Sequence, residues 1–317
     1  MSAEVELAAA LADPAALGRL LTRVENDATE RKRILGMLPE VAQPAYRIGV
    51  TGSPGVGKST LLAKLVPLLA VDGARPAVLA IDPTSTHTGG AVLGDRFRWN
   101  ELSEQGVFMR SLASRGSLGG TSAAAGAVLR VLDAAGYGPL VIETVGVGQI
   151  GFEISALADT VVVLLSPESG DALQLLKAGL IEAGNIFVVN KSDRPGAAAL
   201  LSELRSALEK ESEVATLGWQ QRVLSVVAQS GAGVAELAAA ISAHRLLLQA
   251  LPADHSLRLR RAAAEISYGL RGHAEEALRK VMNAELPGAV ESVSQGQLSV
   301  EEATTELVNS LARMLRD

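Results

Sequence analysis

An eight-residue stretch that begins at Gly52 has the residue types needed to hold phosphate. It reads Gly52-Ser-Pro-Gly-Val-Gly-Lys-Ser59, which is the spacing of the phosphate-binding loop. Glycines let the backbone approach a phosphate closely, and the helix N-terminus that follows adds partial positive charge. Lys58 can bring its ammonium to the β- and γ-phosphates, and the Ser59 hydroxyl can ligate Mg²⁺. We predict that a nucleoside triphosphate contacts Gly52, Ser53, Pro54, Gly55, Val56, Gly57, Lys58, Ser59 and Thr60.

A second motif indicates which base is bound. Asn190-Lys191-Ser-Asp193 follows an aliphatic stretch and has the N-K-x-D pattern of guanine-specific proteins. A carboxylate at Asp193 can accept two hydrogen bonds from guanine, from N1–H and from the 2-amino group, whereas adenine offers no such pair. Hydrogen bonds to charged groups contribute about 1.5–3 kcal/mol each, so this motif predicts GTP rather than ATP. The alternative is that Asp193 only caps a helix.

Three carboxylates lie at or near the ends of predicted strands and are candidate Mg²⁺ ligands. They are Asp82 in Asp82-Pro-Thr-Ser85, Asp95 in Gly94-Asp-Arg-Phe97, and Glu143 at the end of an apolar strand. Mg²⁺ keeps several waters and takes one or two carboxylates directly, together with phosphate oxygens. Ser59, Asp82, Asp95 and Glu143 are therefore the predicted metal site, and Lys58, Asp95 and Glu143 the candidate catalytic residues. Any one of the acids could instead cap a turn.

Glycines beside these acids suggest loops that respond to the γ-phosphate. Gly89-Gly90 and the pair Gly146 and Gly148 would let the backbone change shape, although they could equally be turn glycines. Gln149 has the chemistry of a water-orienting side chain. Arg98 could contact phosphate or a partner, or be an ordinary solvated arginine. The residues alone predict that Asp171 caps the start of a helix that carries Lys177.

The elements that must position these residues are alternating strands and helices. Aliphatic runs such as Val161-Val-Val-Leu-Leu165 are typical of parallel strands buried on both faces. The predicted class is α/β, a doubly wound and mainly parallel sheet, with ligands at the carboxyl ends of the strands. The predicted strands are Tyr46–Thr51, Ala77–Ile81, Val107–Arg110, Leu140–Glu143, Thr160–Leu165, Ile186–Asn190 and Val223–Val227.

Helices are predicted on both sides of this α/β region. Residues 1–45 form an N-terminal helical extension in which Asp13 and Asp27 begin helices, and 46–251 form the nucleotide-binding domain. Residues 252–317 are predicted as a helical hairpin, broken at Pro287-Gly288, with a capping box at Ser299 and Glu302. The N-terminal apolar stripe should pack on the main domain rather than on a membrane. The tail should pack on the main domain or, as we favour, on a second subunit.

Composition excludes several classes of function. A net charge of −6 and a pI of about 5.4 argue against a nucleic-acid partner. With no cysteine and four scattered histidines, a dedicated nickel or zinc store is disfavoured. No apolar run approaches the roughly 20 residues that span a bilayer, and the acidic N-terminus lacks a signal-peptide pattern, so we expect no membrane partner and a cytoplasmic location.

Taken together, the motifs resemble those of the MeaB/ArgK-like family of P-loop GTPases, strongly over residues 45 to 235. The matching segments are Gly49-Val-Thr-Gly-Ser-Pro-Gly-Val-Gly-Lys-Ser-Thr-Leu61, Asp82-Pro-Thr-Ser85, Thr88-Gly-Gly-Ala-Val-Leu-Gly-Asp-Arg96, Arg110-Ser-Leu-Ala-Ser-Arg-Gly116, Leu118-Gly-Gly120, Glu143-Thr-Val-Gly-Val-Gly-Gln149, Gly170-Asp-Ala-Leu-Gln174 and Asn190-Lys-Ser-Asp193.

This resemblance implies a GTP-dependent chaperone of adenosylcobalamin-dependent acyl-CoA mutases that gates cofactor loading and protects or rescues the mutase. It implies GTP/GDP and Mg²⁺ as ligands, with the matching acids Asp82, Asp95 and Glu143 handling the metal. The segment around Asp171 and Lys177 would signal to the mutase. The C-terminal helices would form the dimerization arm of a homodimer.

Departures from the family pattern leave the client open. Thr86-His87 replaces the usual Pro-Phe, Ile150-Gly151 the usual Ser-Glu, and Val227-Ala228 stands near the usual Ser-Ala of the base loop. Methylmalonyl-CoA mutase is the family default, and a mutase acting on isobutyryl- or 2-hydroxyisobutyryl-CoA is the other candidate. Two further hypotheses remain. One is a GTPase for nickel-centre assembly, which the absent cysteines argue against. The other is an ATP-dependent kinase of amino-acid transport, which the N-K-x-D motif argues against. We also expect slow intrinsic hydrolysis, stimulated by the partner, because no residue is an obvious base.

Overall fold

The aliphatic runs form the predicted strands, and these strands build one parallel sheet. A computed structural model describes residues 3–70, 73–82, 102–113, 118–144, 150–169, 181–211, 218–251 and 257–315. The described sheet has seven strands in the order β3-β2-β4-β1-β5-β6-β7, and all of its pairings are parallel. The strands are β1 Arg47–Thr51, β2 Ala77–Asp82, β3 Phe108–Ala113, β4 Leu140–Thr144, β5 Thr160–Leu165, β6 Ile186–Val189 and β7 Arg222–Ser225. The predicted fold class is confirmed.

Helices cover both faces of this sheet. Their bounds are α1 Ala3–Ala12, α2 Pro14–Asn26, α3 Ala28–Met37, α4 Lys58–Leu69, α5 Leu118–Ala134, α6 Ile150–Leu157, α7 Ile181–Ala183, α8 Ala197–Glu211, α9 Val234–Gln249, α10 Leu257–Ala284, α11 Leu286–Ser294 and α12 Val300–Met314. None of the described helices is long and apolar enough to cross a membrane.

Strand β5 shows why the aliphatic runs are continuous. Val161 and Val163 pack into a core shared with α2, α5 and α8, whereas Val162 and Leu164 pack into a core shared with α4 and α9. Successive side chains of a strand point to opposite faces, so a strand covered on both faces needs an apolar residue at every position.

The N-terminal helices pack on the main domain, as predicted. The Asp13 carboxylate accepts a hydrogen bond of 2.6 Å from the Ala16 N–H at the start of α2, and Asp27 caps α3. Helix α2 then buries its apolar stripe against α5, and Arg110 of β3 forms an ion pair of 2.6 Å with Glu25. The stripe is therefore core.

The C-terminal region differs in one respect from the predicted hairpin. Helix α10 ends at Ala284, close to the predicted break, but Pro287 lies in the first turn of a further helix, α11, so the described part of the tail contains three helices. A proline is tolerated there because its missing N–H would have no acceptor within the helix. The Ser299 capping box is present: the Glu302 N–H donates to Ser299 Oγ over 3.1 Å, and the Ser299 N–H donates to Glu302 Oε2 over 2.8 Å.

Buried charges attach α10 to the sheet. Helix α10 packs on α5 and α6 of the same chain, and the Arg261 guanidinium is hydrogen-bonded to the Asp159 carboxylate beside the start of β5. Arg261 also donates to the Ala45 carbonyl oxygen over 2.7 Å. Next to it, Arg47 of β1 forms an ion pair of 2.9 Å with Asp133, both side chains being at most 5% exposed. We call Arg47, Asp133, Asp159 and Arg261 the basal ion cluster, because it lies at the amino ends of the strands.

Candidate nucleotide-binding site

The carboxyl ends of the central strands meet at one cavity. It has a volume of about 490 Å³ and draws its lining from the loops that follow β1, β5, β6 and β7, and from β2 and β4. Its lining residues are Pro54, Gly55, Gly57, Lys58, Ser59, Thr60, Ala80, Glu143, Glu168, Asn190, Lys191, Asp193, Arg194, Val227, Ala228 and Gln229. The phosphate loop and the base loop, which are more than 130 residues apart in the sequence, thus share one site.

Two glycines of the phosphate loop cannot be replaced without a clash. A Cβ on Gly52 would lie 2.2 Å from the Leu164 carbonyl oxygen of β5. Gly57 has a φ of +95°, and a Cβ there would lie 2.5 Å from the Asn190 side-chain nitrogen. Gly57 is also the N-cap of α4, so the N-terminus of this helix lies at the cavity. The loop is therefore held tightly between β5 and the base loop.

Lys58 lies within the curve of the phosphate loop. Its ammonium donates to the Gly52 carbonyl oxygen over 2.8 Å and to the Ser53 carbonyl oxygen over 3.1 Å, and the residue is 6% exposed. The Ser53 hydroxyl is buried and has no hydrogen-bond partner among the described residues. A buried hydroxyl of this kind is ordinarily satisfied, so Ser53 and Lys58 form a polar cradle that fits an anionic ligand.

Ser59 and Glu143 meet at the deep side of the cavity. Ser59 Oγ donates to Glu143 Oε1 over 3.1 Å, and Glu143 is 6% exposed on β4. A hydroxyl and a carboxylate are hard oxygen ligands of the type that Mg²⁺ takes. Asp82 is the last residue of β2, beside β4, but its side chain is outside the described part of the chain. The described oxygens therefore suit a magnesium ion next to a phosphate.

Asn190 connects the base loop to two other loops. Its side-chain amide donates to the Val56 carbonyl oxygen over 2.8 Å, and its side-chain oxygen accepts from the Ala228 N–H over 3.0 Å. The residue is buried at the end of β6. Asp193 projects with 55% of its side chain exposed, which leaves its carboxylate accessible to a base. Asn190 is thus a structural joint, and Asp193 is open to a ligand.

Four lining residues were not among the predicted site residues: Ala80, Glu168, Arg194 and Gln229. The Lys191 ammonium donates to Glu168 Oε2 over 2.6 Å, and this hydrogen bond keeps the pKa of the Glu168 carboxyl below its usual value. The sequence indicates the position of Glu168 at this edge of the sheet, because it follows β5 by three residues, but it does not indicate the contact with Lys191.

The remaining predicted residues cannot be placed. Asp95, Arg98, Gly146, Gln149, Asp171 and Lys177 lie outside the residues that the structure describes.

The parallel sheet, the phosphate loop and the guanine-type base loop together define a P-loop nucleotide-binding protein. A family model described as Methylmalonyl Co-A mutase-associated GTPase MeaB matches residues 17–284, and the chain belongs to this family. The family assignment confirms the resemblance read from the motifs, and a GTPase family implies that the chain binds GTP and GDP.

Relatives support this assignment. A Pyrococcus abyssi protein that is named only as a GTPase is 42% identical to this chain over 288 residues. The match covers 90% of this chain and 85% of the relative. GTPase ArgK of Escherichia coli is 37% identical over 235 residues, 70% of each chain. The mouse mitochondrial methylmalonic aciduria type A homolog is 38% identical over 199 residues, 61% of this chain and 47% of that protein.

A solved structure matches along almost the whole chain. It is described as the crystal structure of LAO/AO transport system kinase, has a TM-score of 0.73 and 26% sequence identity, and the match covers 98% of both chains. The similarity extends over the helices that flank the sheet as well as over the sheet itself.

Proposed function

We propose that this cavity binds GTP with Mg²⁺ and hydrolyses it to GDP and phosphate. The observation that carries the proposal is the joint at Asn190, which holds the phosphate loop and the base loop against one another across a single cavity. Lys58 would neutralise charge on the β- and γ-phosphates, since its ammonium lies inside the phosphate loop, 2.8 Å from the carbonyl oxygen of Gly52 at the start of the loop. Backbone donors and a positioned lysine are the elements that phosphoryl transfer requires.

The magnesium ion would be held by Ser59 and Glu143, with Asp82 and Asp95 as further candidates. In the described geometry the Ser59 hydroxyl and the Glu143 carboxylate are 3.1 Å apart, close enough to face a common ion. Mg²⁺ bridging phosphate oxygens would neutralise charge that develops during hydrolysis. Glu143 thereby serves binding and catalysis together.

Guanine would be selected by Asp193, whose exposed carboxylate lies on the same cavity as the phosphate loop. Val227 and Ala228 would also contact the base, because both line the cavity and the Ala228 N–H is held by the Asn190 side chain. Calorimetric titration with GDP, a non-hydrolysable GTP analogue and its adenine counterpart tests this step. We expect heat only with the guanine nucleotides in the native protein, and Asp193→Asn should reduce guanine preference by at least about tenfold.

The biological role that fits the family is the service of an adenosylcobalamin-dependent acyl-CoA mutase in the cytoplasm. Support comes from the family description, which names methylmalonyl-CoA mutase, and from the mouse relative, whose name refers to methylmalonic aciduria. We propose that the chain gates cofactor loading and protects or rescues the mutase, and that the client orders the loops around the γ-phosphate. The client is methylmalonyl-CoA mutase or a mutase of isobutyryl- or 2-hydroxyisobutyryl-CoA.

The decisive experiment measures GTP hydrolysis with and without each candidate mutase. We expect slow hydrolysis alone and a marked increase with the client. Lys58→Ala is the control, because it should abolish tight triphosphate binding while leaving the mutase unaffected. Hydrolysis that no candidate mutase changes would contradict the chaperone role, and preferential binding of ATP would instead favour the kinase function that the description of the similar crystal structure names.

The exposed face of α10 supports a homodimer. Ile266 and Leu270 lie one turn apart and are 71% and 70% exposed, which is unusual for large apolar residues on a helix that already packs on its own domain. We propose that this face contacts a second copy of the chain. Sedimentation of the native protein and of the double variant Ile266→Glu/Leu270→Glu tests it; equal masses would contradict an arm-mediated dimer.

A further inference from the structure

The turn that follows β5 contacts the base loop directly. Residues 166–169 form a closed turn in which the Ser169 N–H donates to the Ser166 carbonyl oxygen over 3.1 Å, and the two serine hydroxyls are 2.9 Å apart. The base loop begins at the neighbouring strand, and the Asn190 N–H donates to the Leu165 carbonyl oxygen over 2.8 Å. The turn and the base loop therefore leave the sheet side by side.

Glu168 forms the polar part of this contact. One carboxylate oxygen accepts a hydrogen bond of 2.6 Å from Lys191, and the other lies 3.9 Å from Arg194 Nε. Arg194 Nε is also 3.9 Å from Asp193, so two acids and two bases alternate along the rim of the cavity. A Cβ on Gly196 would lie 3.6 Å from Pro167 Cβ, so the same two segments also approach one another closely at a second point.

Lys191 has an unusual backbone conformation. Its φ is +56°, in the left-handed region of backbone conformation that residues other than glycine rarely adopt. Such a conformation costs on the order of 1–3 kcal/mol and persists only where surrounding contacts hold it. The hydrogen bond to Glu168 is one such contact, and Lys191 lines the cavity next to Asn190 and Asp193.

We propose that Glu168 is a positioning residue that holds Lys191 against the guanine base and thereby makes nucleotide binding and the order of the 166–169 turn depend on one another. This inference rests on the proposed guanine-nucleotide site. Exposed ion pairs contribute little in water, but a nucleotide that covers the cavity excludes water and strengthens the pair. Coupling of this kind is reciprocal: if the ordered turn favours the nucleotide, the nucleotide favours the ordered turn by the same factor.

A double-mutant cycle with GDP tests the proposal. We expect Glu168→Gln to weaken GDP binding by about three- to tenfold, with a smaller loss at high salt because the pair is partly exposed. In a Lys191→Met background the same change should have no further effect, since its partner is absent. The control is Glu203→Gln, the same chemical change on the exposed face of α8 and away from the cavity lining, which should leave GDP affinity unchanged.

Hydrogen exchange at the Ser169 amide supplies a readout that a purely structural role would not move. GDP should slow this exchange in the native chain and much less in Glu168→Gln, while the thermal midpoints of both proteins without nucleotide stay alike. Equal GDP affinities for the native chain and Glu168→Gln, or the same loss in both lysine backgrounds, would overturn the proposal. Failure of the native chain to bind GDP would instead overturn the proposed function.

Discussion

The Asn190 side chain donates to the Val56 carbonyl oxygen over 2.8 Å, and this bond joins the base loop to the phosphate loop. Because the same side chain accepts from the Ala228 N–H, one buried amide determines the relative positions of three loops that arise from β1, β6 and β7. The consequence is that affinity for phosphate and affinity for the base depend on a common residue.

Asn190→Ala should therefore weaken GDP binding and lower the free energy of unfolding. The substitution leaves the Val56 carbonyl and the Ala228 N–H without their buried partner, at a cost of about 1–3 kcal/mol for each unsatisfied group. The matched control is Asn185→Ala, because the Asn185 side chain accepts from the Val161 N–H over 2.7 Å at the opposite edge of the sheet. Both variants should be less stable by urea unfolding, but only Asn190→Ala should lose GDP affinity in calorimetry.

Gly57→Ala should reduce nucleotide binding by a steric effect. Its Cβ would lie 2.5 Å from the Asn190 side-chain nitrogen, so the joint must move, and the φ of +95° adds strain. Gly106→Ala separates the two causes: its φ is +78°, but a Cβ there meets no described heavy atom within 4 Å. We expect a loss of about 1 kcal/mol in unfolding free energy with unchanged GDP affinity for Gly106→Ala. Similar GDP affinities for both variants would contradict this account.

Glu143→Gln should remove most of the contribution of magnesium to nucleotide affinity. The amide keeps the shape of the side chain and can still contact Ser59, but it lacks the charge that Mg²⁺ requires. GDP titrations with Mg²⁺ and with EDTA measure the difference. We expect Mg²⁺ to improve GDP affinity at least about tenfold more in the native chain than in Glu143→Gln, with similar affinities in EDTA. Equal magnesium effects would place the ion elsewhere.

Stability should fall as the pH is lowered from neutrality, because His244 is buried. Burial, together with the nearby Arg260 charge and against the opposing effect of Asp159, lowers the pKa of His244 to about 4. Its Nδ1 lies 2.6 Å from the Thr160 hydroxyl, and its ring packs at a tilt of 56° against the Trp219 ring. The unfolded chain, with a histidine pKa near 6.5, binds the proton first, so stability is complete above about pH 6.5 and is lost towards pH 4.

Urea unfolding at several pH values checks this contribution. The histidine should add a slope of up to about 1.4 kcal/mol per pH unit within that window. His244→Gln should show a shallower slope than the native chain. The control, His273→Gln, alters a histidine that is exposed on α10 and should leave the slope unchanged. Identical slopes for His244→Gln and the native chain would show that other groups dominate.

The sequence predicted those features that depend on local pattern. Val161 to Leu165 could only suit a strand buried on both faces, and the glycines around Lys58 could only suit a tight phosphate loop. Glu168 was missed because its contact with Lys191 depends on β5 and β6 being neighbours, which a linear pattern does not specify. Helix α11 was missed because proline is unfavourable within a helix, and only the structure shows that Pro287 lies in a first turn, where it is acceptable.

The basal ion cluster was also beyond prediction. Arg47 and Asp133 are 86 residues apart, and Asp159 and Arg261 are 102 residues apart. In the sequence each is an ordinary charged residue of the kind that is usually solvated, and only the folded chain shows that each has a buried partner. Predictions about paired buried charges therefore need the tertiary structure.

Helix α10 is attached to the amino ends of β1 and β5. This helix has 28 residues and so spans about 42 Å, and Arg261 in its second turn is tied to Asp159 and to the residues just before β1. Strand β1 runs from the basal ion cluster to the phosphate loop, and its neighbour β5 runs from the same cluster to the turn that bears Glu168. Helix α10 and the nucleotide site are consequently attached to opposite ends of the same two strands.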